Sequence, residues 1–335
     1  MAWPTLLACF LLPLGASLGL TGLLLVLLRR IGLYDRPNAR SLHRRPTPRG
    51  GGLAPVAVLL AGTTTVAATA GLPAATWLAP LVGGLLLAAS GWRDDRGGLA
   101  PLAKLVPQLV AVALGIVALS FGEPVFQGWL PPALDRLAAA LLWLWFVNLY
   151  NFMDGSDGLA AGEAAAIGLG LALSALWLSW PGPTAAFGLV LAGAALGFLW
   201  WNRPPARLFL GDAGSQPLGY LIGWLLLDAA GRGHWASALI LPGYFIADAS
   251  LTLLRRLARG ESPLAAHAEH FYQQAVRNGL GHRGTLATVT VGNLVLIAFA
   301  LGAARGATAA ALVGAVVTVL YLLYRLARQP AKPTE

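Results

Sequence analysis

Charge is what this 335-residue sequence has least of: 23 Lys and Arg with 14 Asp and Glu make up 11% of it, against roughly 25% in ordinary soluble domains. So few charges cannot cover the surface of a water-soluble globule whose residues are 57% hydrophobic. Cysteine is nearly missing as well. The single Cys9 lies inside the first apolar run, which excludes an internal disulfide, a cysteine-built metal site and thiol redox chemistry. No Lys or Arg precedes the pair Arg29-Arg30, so a Sec signal peptide with a basic start is not expected and the N-terminus is expected to face outward.

What fills the sequence instead is apolar residues. A spanning helix needs about 20 of them, and eleven runs qualify, at roughly 5–28, 53–71, 74–91, 100–120, 136–152, 159–180, 184–201, 215–230, 235–256, 284–303 and 307–324. The expected fold is an all-α polytopic membrane protein with the N-terminus periplasmic and the C-terminus cytoplasmic. A single transmembrane catalytic domain covers 1–335, with a cytoplasmic loop at 258–283 that carries a short helix and a cytoplasmic tail at 326–335. On this topology 20 of the 23 Lys and Arg lie on the cytoplasmic side, and Arg136, Arg232 and Arg305 lie outside. The net charge of +9 is therefore mainly a topological signal, with a secondary pull on anionic membrane lipids and substrates. It does not imply nucleic acid.

Eleven of the fourteen acidic residues are likewise assigned to the inner side, gathered in short polar sequences. The first is "GWRDDRGGLAPLAKLVPQL". The adjacent carboxylates Asp94 and Asp95 repel, so cations or a metal are expected beside them, the alternative being a solvated loop flanked by Arg93 and Arg96. Lys104 and Gln108 share a helix face just beyond, placed to meet phosphate or to anchor the helix end. The second is "NLYNFMDGSDGLAAGE", in which Asn148, Asn151 and Asp154, spaced by three, form one broad helical stripe. Asp157 follows, placed to cap the sixth span.

The third is "WWNRPPARLFLGDAGSQPLG", where Asp212 stands between glycines at a helix start, with Asn202, Arg203 and Arg207 nearby. Hard cations such as Mg²⁺ take oxygen ligands and keep substrate phosphates as partners, so an Asp in such a turn is apt for one; a plain N-cap is the alternative. The fourth is the loop "RRLARGESPLAAHAEHFYQQAVRNGLGHR". Ser262-Pro263 signals a helix start, which would put His267 and His270 on one side of a short helix. With no Cys or HExxH pattern, zinc is not expected there. Asp248, inside the ninth run, is an intramembrane carboxylate whose role the residues do not assign. Carboxylates bordered by Lys, Arg and His on one membrane face indicate phosphoryl transfer with a divalent cation.

These motifs, from "HRRPTPRGGGLA" through "DD", "NLYNFMDGSDGLA" and "FLWWNRPPARLFLGDAGSQPLG" to "AHAEHFYQQ", resemble those of the polyprenyl-phosphate N-acetylhexosamine-1-phosphate transferases (glycosyltransferase family 4). The order is the same and most of the chain is covered. "HAEHFYQQ" with "GHR" is most similar to the branch that initiates O-antigen chains. The resemblance implies a Mg²⁺-dependent, or Mn²⁺-dependent, transfer from a UDP-N-acetylhexosamine to undecaprenyl phosphate at the cytoplasmic face of a bacterial inner membrane. UMP is released, and a homodimer is compatible with it. It further implies Asp212 and Asn151 as metal ligands, and Asp94, Asp95, Asp154 and Asp157 as the catalytic carboxylates. Lys104, Asn202, His267 and His270 become substrate contacts, and Asn148, on the oxygen-rich stripe, joins them. The sequence departs from the related loops at Ala268, where Arg is frequent. Other readings are the phospho-MurNAc-pentapeptide translocase of peptidoglycan synthesis and, in a different class, a secondary transporter. A transporter would place its carboxylates near the bilayer midplane and often show inverted repeats, and neither is visible.

Overall fold

The computed structural model describes residues 2–37, 41–119, 124–180, 182–262, 265 and 267–328. Apolar runs in lipid must satisfy every backbone N–H and C=O internally, which a helix does and an open strand does not. The chain accordingly folds as α1 (Trp3–Ile31), α2 (Leu53–Thr69), α3 (Ala74–Gly97), α4 (Pro101–Leu119), α5 (Pro132–Phe152), α6 (Leu159–Trp177), α7 (Thr184–Asn202), α8 (Asp212–Ala229), α9 (Trp235–Ile240), α10 (Gly243–Ala258), α11 (Phe271–Ala275), α12 (Gly281–Ala304) and α13 (Thr308–Ala327). Among the described residues the β-structure is one antiparallel hairpin, β1 (Tyr34–Asp35) with β2 (Thr47–Pro48). All eleven apolar runs are helical over most of their length.

Among the described residues, eight helices are alone long and apolar enough to cross a membrane, and a pair bent by 73°, Asp212–Ile240 with Gly243–Ala258, brings the number to nine at most. The difference from eleven has two sources. The second run is only 17 residues of helix. The eighth and ninth runs are joined through a π-helical turn, Ala230–His234, in which Gly233 adopts φ 92. At the far end, the Gln127 side chain donates to Ala230 O at 2.7 Å, Trp180 stacks on His234 at 3.6 Å and Arg305 lies over Trp177. The tail expected at 326–335 starts on the last turn of α13, and from 329 onward it lies outside the described residues.

α6, α7 and α8 form the buried centre. A Cβ on Gly168 would meet Gly188 O at 2.6 Å, and one on Gly188 would meet Gly168 O at 2.5 Å, so the two backbones are held in contact by small residues, as membrane helices favour. α1, α4 and α13 carry the outward apolar side chains, among them Leu12, Leu23, Leu102, Val117 and Val313, each more than 60% exposed. These suit lipid and would not suit water.

Inside this apolar body, Asn293 Nδ2 on α12 donates to Glu163 Oε2 on α6 at 2.7 Å, with both residues buried. Asn293→Leu strands that carboxyl without its donor and is expected to cost about 1–3 kcal/mol, read as a lower thermal-inactivation temperature in detergent. Replacing Glu163 by Leu as well should recover most of the loss. A single variant as stable as the wild type would show that the pair contributes nothing.

Candidate active site

The site begins with the connection between α1 and α2. The β1–β2 hairpin turns Arg49 inward, and the following glycines dock on the loop before α8: Gly51 N–H donates to Phe209 O and Gly52 N–H to Leu210 O, both at 2.9 Å, while Phe209 N–H donates to Pro48 O at 2.8 Å. A Cβ on Gly52 would sit 2.2 Å from Gly214 Cα, so the approach is closed to any other residue. Arg49 is thereby delivered to α8. Its Nε lies 2.6 Å from Asp95 Oδ1 and its Nη2 donates to Asp212 Oδ1 at 2.9 Å. Burial alone would lower the Arg49 pKa, but Asp95 and then Asp212 outweigh it and hold it above its ordinary value.

From α4, Lys104 Nζ reaches Asp94 Oδ2 at 2.6 Å and Asp212 Oδ2 at 3.1 Å. Asp212, the first residue of α8, is thus flanked by a cation on each oxygen. Gln216, one turn along, donates to Asp212 Oδ2 at 3.0 Å, Gln108 Nε2 approaches Gln216 Oε1 at 3.4 Å, and Asn148 donates to Gln108 Oε1 at 2.9 Å. This chain of amides from three helices ends on the carboxylate.

Asp94 and Asp95 are brought to this centre but do not line its cleft. The side chain of Asp95 is 0% exposed; its oxygens accept the N–H groups of Asp212 and Ala213 at 3.0 Å, so it caps α8 while pairing Arg49. Asp94 accepts Leu99 N–H and Lys104. The adjacent pair on the last turns of α3 is thus held by cations, as like charges require, and stands behind Lys104 and Arg49, which line the cleft.

A cleft of about 570 Å³ opens beside Asp212, and it is lined by Lys104, Asn148, Asn151, Asp154, Asp157, Asn202, His267 and His270. Asn151, near the end of α5, accepts the Ser215 hydroxyl on Oδ1 at 2.5 Å. Asp154 lies just past α5. Burial first, then the charge of Asp212, pushes its pKa well above the ordinary value. A cation placed beside it would favour its charged form.

Three expectations are corrected here. Asp157 does not cap α6: Gly158, at φ 77, takes that position, because Asp157 Oδ2 is used to accept Ala206 N–H at 2.9 Å. Asn202 lines the cleft, yet both ends of its amide are spent on the protein, Oδ1 accepting Gly158 N–H and Nδ2 donating to Leu208 O, each at 2.9 Å. It staples the two loops. The short helix of the 258–283 loop does not carry the histidines. It starts at Phe271, with His270 as its N-cap and the His270 N–H donating to Gln273 Oε1 at 3.2 Å, so His267 and His270 lie in the extended segment before it; Pro263 of the expected start lies outside the described residues.

His267 is half-buried, and burial, then the neighbouring His270 and Arg256, lower its pKa to about 4, which favours a neutral ring at neutral pH. The loop is braced by Arg256 and Arg259, which both pair with Glu261 and Glu269. His282, the histidine of the GHR sequence, also lines the cleft, and its Nδ1 accepts Asp157 N–H at 3.2 Å and lies 2.9 Å from Ser156 Oγ. Arg49 and Gln216 were missed by sequence reasoning. For Arg49 a signal exists, a cation directly before three glycines, but among seven basic residues in one connection it reads as charge bias.

Among the described residues, no three His, Cys, Asp or Glu side chains form a ready-made metal cage. The donors beside the cleft are hard oxygens, from Asp212, Asp154 and Asn151. That set fits a cation such as Mg²⁺, which typically takes one or two carboxylates and completes its shell with water and phosphate.

Residues 77–230 match the family described as glycosyl transferase family 4. The chain is 34% identical over 299 residues to the decaprenyl-phosphate N-acetylglucosaminephosphotransferase of Mycolicibacterium smegmatis, covering 78% of this chain and 73% of that protein. It is 31% identical over 269 residues to the probable undecaprenyl-phosphate N-acetylglucosaminyl 1-phosphate transferase of Bacillus subtilis, covering 76% and 72%. To the phospho-N-acetylmuramoyl-pentapeptide-transferase of Mycolicibacterium smegmatis it is 30% identical over 297 residues, covering 74% and 82%. With its helical membrane body and its phosphotransferase relatives, the chain belongs to glycosyl transferase family 4 and is a glycosyl-1-phosphate transferase.

Proposed function

We propose that the enzyme transfers an N-acetylhexosamine-1-phosphate from a UDP-sugar to undecaprenyl phosphate, with Mg²⁺ or Mn²⁺, at the cytoplasmic face of a bacterial inner membrane. The product, undecaprenyl-diphospho-sugar, would begin an O-antigen or another envelope polysaccharide. The observation that carries this reading is Asp212, placed at a helix start between Arg49 and Lys104 and beside the oxygens of Asn151 and Asp154.

In the reaction an oxygen of the lipid phosphate bonds to the sugar-bearing phosphorus of the donor, and the bond from that phosphorus to the bridging oxygen breaks. UMP departs with the electron pair. A phosphomonoester has its second pKa near 6, so the nucleophile is already mostly ionised at neutral pH and no side chain need remove its proton. The work left to the protein is bringing two anions together and stabilising the charge that moves to UMP. Lys104 and Arg49 supply fixed positive charge next to Asp212, with Asp94 and Asp95 holding them in place. Asp212, Asn151 and Asp154 would hold the cation, which would supply neutralisation of the phosphates' negative charge. His270 and neutral His267 would contact the diphosphate or sugar. The apolar cavity of about 280 Å³ between α5, α8 and α9, lined by Trp143, Phe146, Leu226 and Trp235 among others, suits part of a prenyl tail, and the basic residues of the cleft end suit the cytoplasmic face.

The test is UMP release by purified protein in detergent with undecaprenyl phosphate, Mg²⁺ and a panel of UDP-sugars, UDP-N-acetylglucosamine first because two of the relatives carry that sugar in their names. The expected result is release with one N-acetylhexosamine donor that EDTA abolishes and added Mg²⁺ restores. Release confined to UDP-MurNAc-pentapeptide would reassign the donor. Release that EDTA leaves intact would overturn the metal assignment.

A further inference from the structure

Asp248 is 0% exposed in the first half of α10, a place where a carboxylate is costly unless fully partnered. Its Oδ1 accepts Phe271 N–H at 3.0 Å and lies 3.1 Å from His270 Nδ1; its Oδ2 accepts Tyr272 N–H at 3.1 Å and the Tyr244 hydroxyl at 2.9 Å. Backbone N–H groups can only donate, so both oxygens act as acceptors and the His270 ring carries its hydrogen on Nδ1. Nε2 is then the ring nitrogen left for a ligand in the cleft that His270 lines. The ring is further held by Tyr272, stacked at 5.7 Å, and by Phe152 and His267 at 6.3 and 5.0 Å.

We propose that Asp248 is a positioning residue for the transfer reaction: it fixes the tautomer and orientation of His270 so that Nε2 points at the donor's diphosphate. The inference rests on the function proposed above. It accounts for an intramembrane carboxylate that makes no contact with the cleft, and it places the hydrogen-bonded support one residue behind the ligand contact, as orienting partners of histidine commonly stand.

A double-variant cycle tests it. Asp248→Asn, His270→Ala and the combination are purified, checked for folding by thermal stability in detergent, and assayed for kcat and KM with each substrate. Loss of an orienting partner typically costs about 10- to 100-fold, so Asp248→Asn should lower kcat/KM for the UDP-sugar by about that factor. The combined variant should be within about threefold of His270→Ala alone, because residues acting as one unit are strongly non-additive. The KM for undecaprenyl phosphate should stay within about threefold in all three, a split that a general loosening of the fold would not produce. If Asp248→Asn does not fold, Asp248→Glu, which keeps the carboxylate but displaces it by one methylene, replaces it in the same cycle with the same expected non-additivity. Multiplying losses, or unchanged kinetics in the Asp248 variant of an active enzyme, overturn this proposal alone. An inactive wild type with every donor overturns the proposed function and this proposal with it.

Discussion

Asp212→Asn is expected to reduce UMP release by at least about 10³-fold, the upper range for removing one electrostatic element of a preorganised site, while the protein remains folded. Two effects combine. The carboxylate is the charge that Arg49 and Lys104 face from either side, and it stands at the N-terminus of α8, where backbone N–H groups and the helix dipole favour negative charge. Asparagine keeps the shape but offers one acceptor where three donors converge, so its amide nitrogen must face Arg49 or the Lys104 and Gln216 pair. A divalent cation would lose its anionic ligand. Stability should change little, because Arg49 and Lys104 are 31% and 28% exposed and keep Asp95 and Asp94 as partners. The measurement is turnover beside thermal unfolding in detergent. Near-normal turnover by a folded variant would remove Asp212 from the centre of the mechanism.

Lys104→Met is expected to lower kcat by about 10²- to 10³-fold, comparable with losing a single oxyanion-hole donor. Methionine retains most of the apolar stem, so packing along α4 survives. What goes is the point charge that couples Asp94, at 2.6 Å, to Asp212, at 3.1 Å. Asp94 then keeps Leu99 N–H as its partner, and two carboxylates face the anionic substrates with less compensation. Lys104→Arg should not restore the rate, since a planar fork cannot place one compact charge between two oxygens on different helices. Steady-state kinetics with both substrates separate the outcomes: a rise in KM with kcat intact would make Lys104 a simple binding contact, and full activity in the arginine variant would mean that charge alone is required.

The membrane fold and the identities of most cleft residues were legible in the chain. Long apolar runs dictate helices wherever water is excluded, and polar residues placed at their ends against that background stand out by contrast. This is why Asp154, Asp212, Lys104 and Asn151 could be named from sequence, along with the histidines. The layering of the site was not legible. Asp94 and Asp95 carry the same signal as Asp212, yet the structure puts them behind the cations, because which face of α3 meets α8 depends on the docking of Gly91 against the Asp212 backbone: a Cβ there would lie 2.2 Å from Asp212 O. Asn202 and Asp157 carry the same signal and line the cleft, while also bonding to the loops around it.

What the sequence determined by itself is therefore a helical membrane enzyme with its polar chemistry gathered at one end, since hydropathy and charge bias are local properties that survive any packing. What only the tertiary structure decided is who partners whom: Arg49 with Asp212 across 163 positions, Lys104 with Asp212 across 108, and Asp248 with His270 through an unwound segment in place of a helix. Hydrogen bonds and ion pairs act over about 3 Å, so such assignments follow from the approach of backbones, and that approach is set by glycines and helix contacts far apart in the chain.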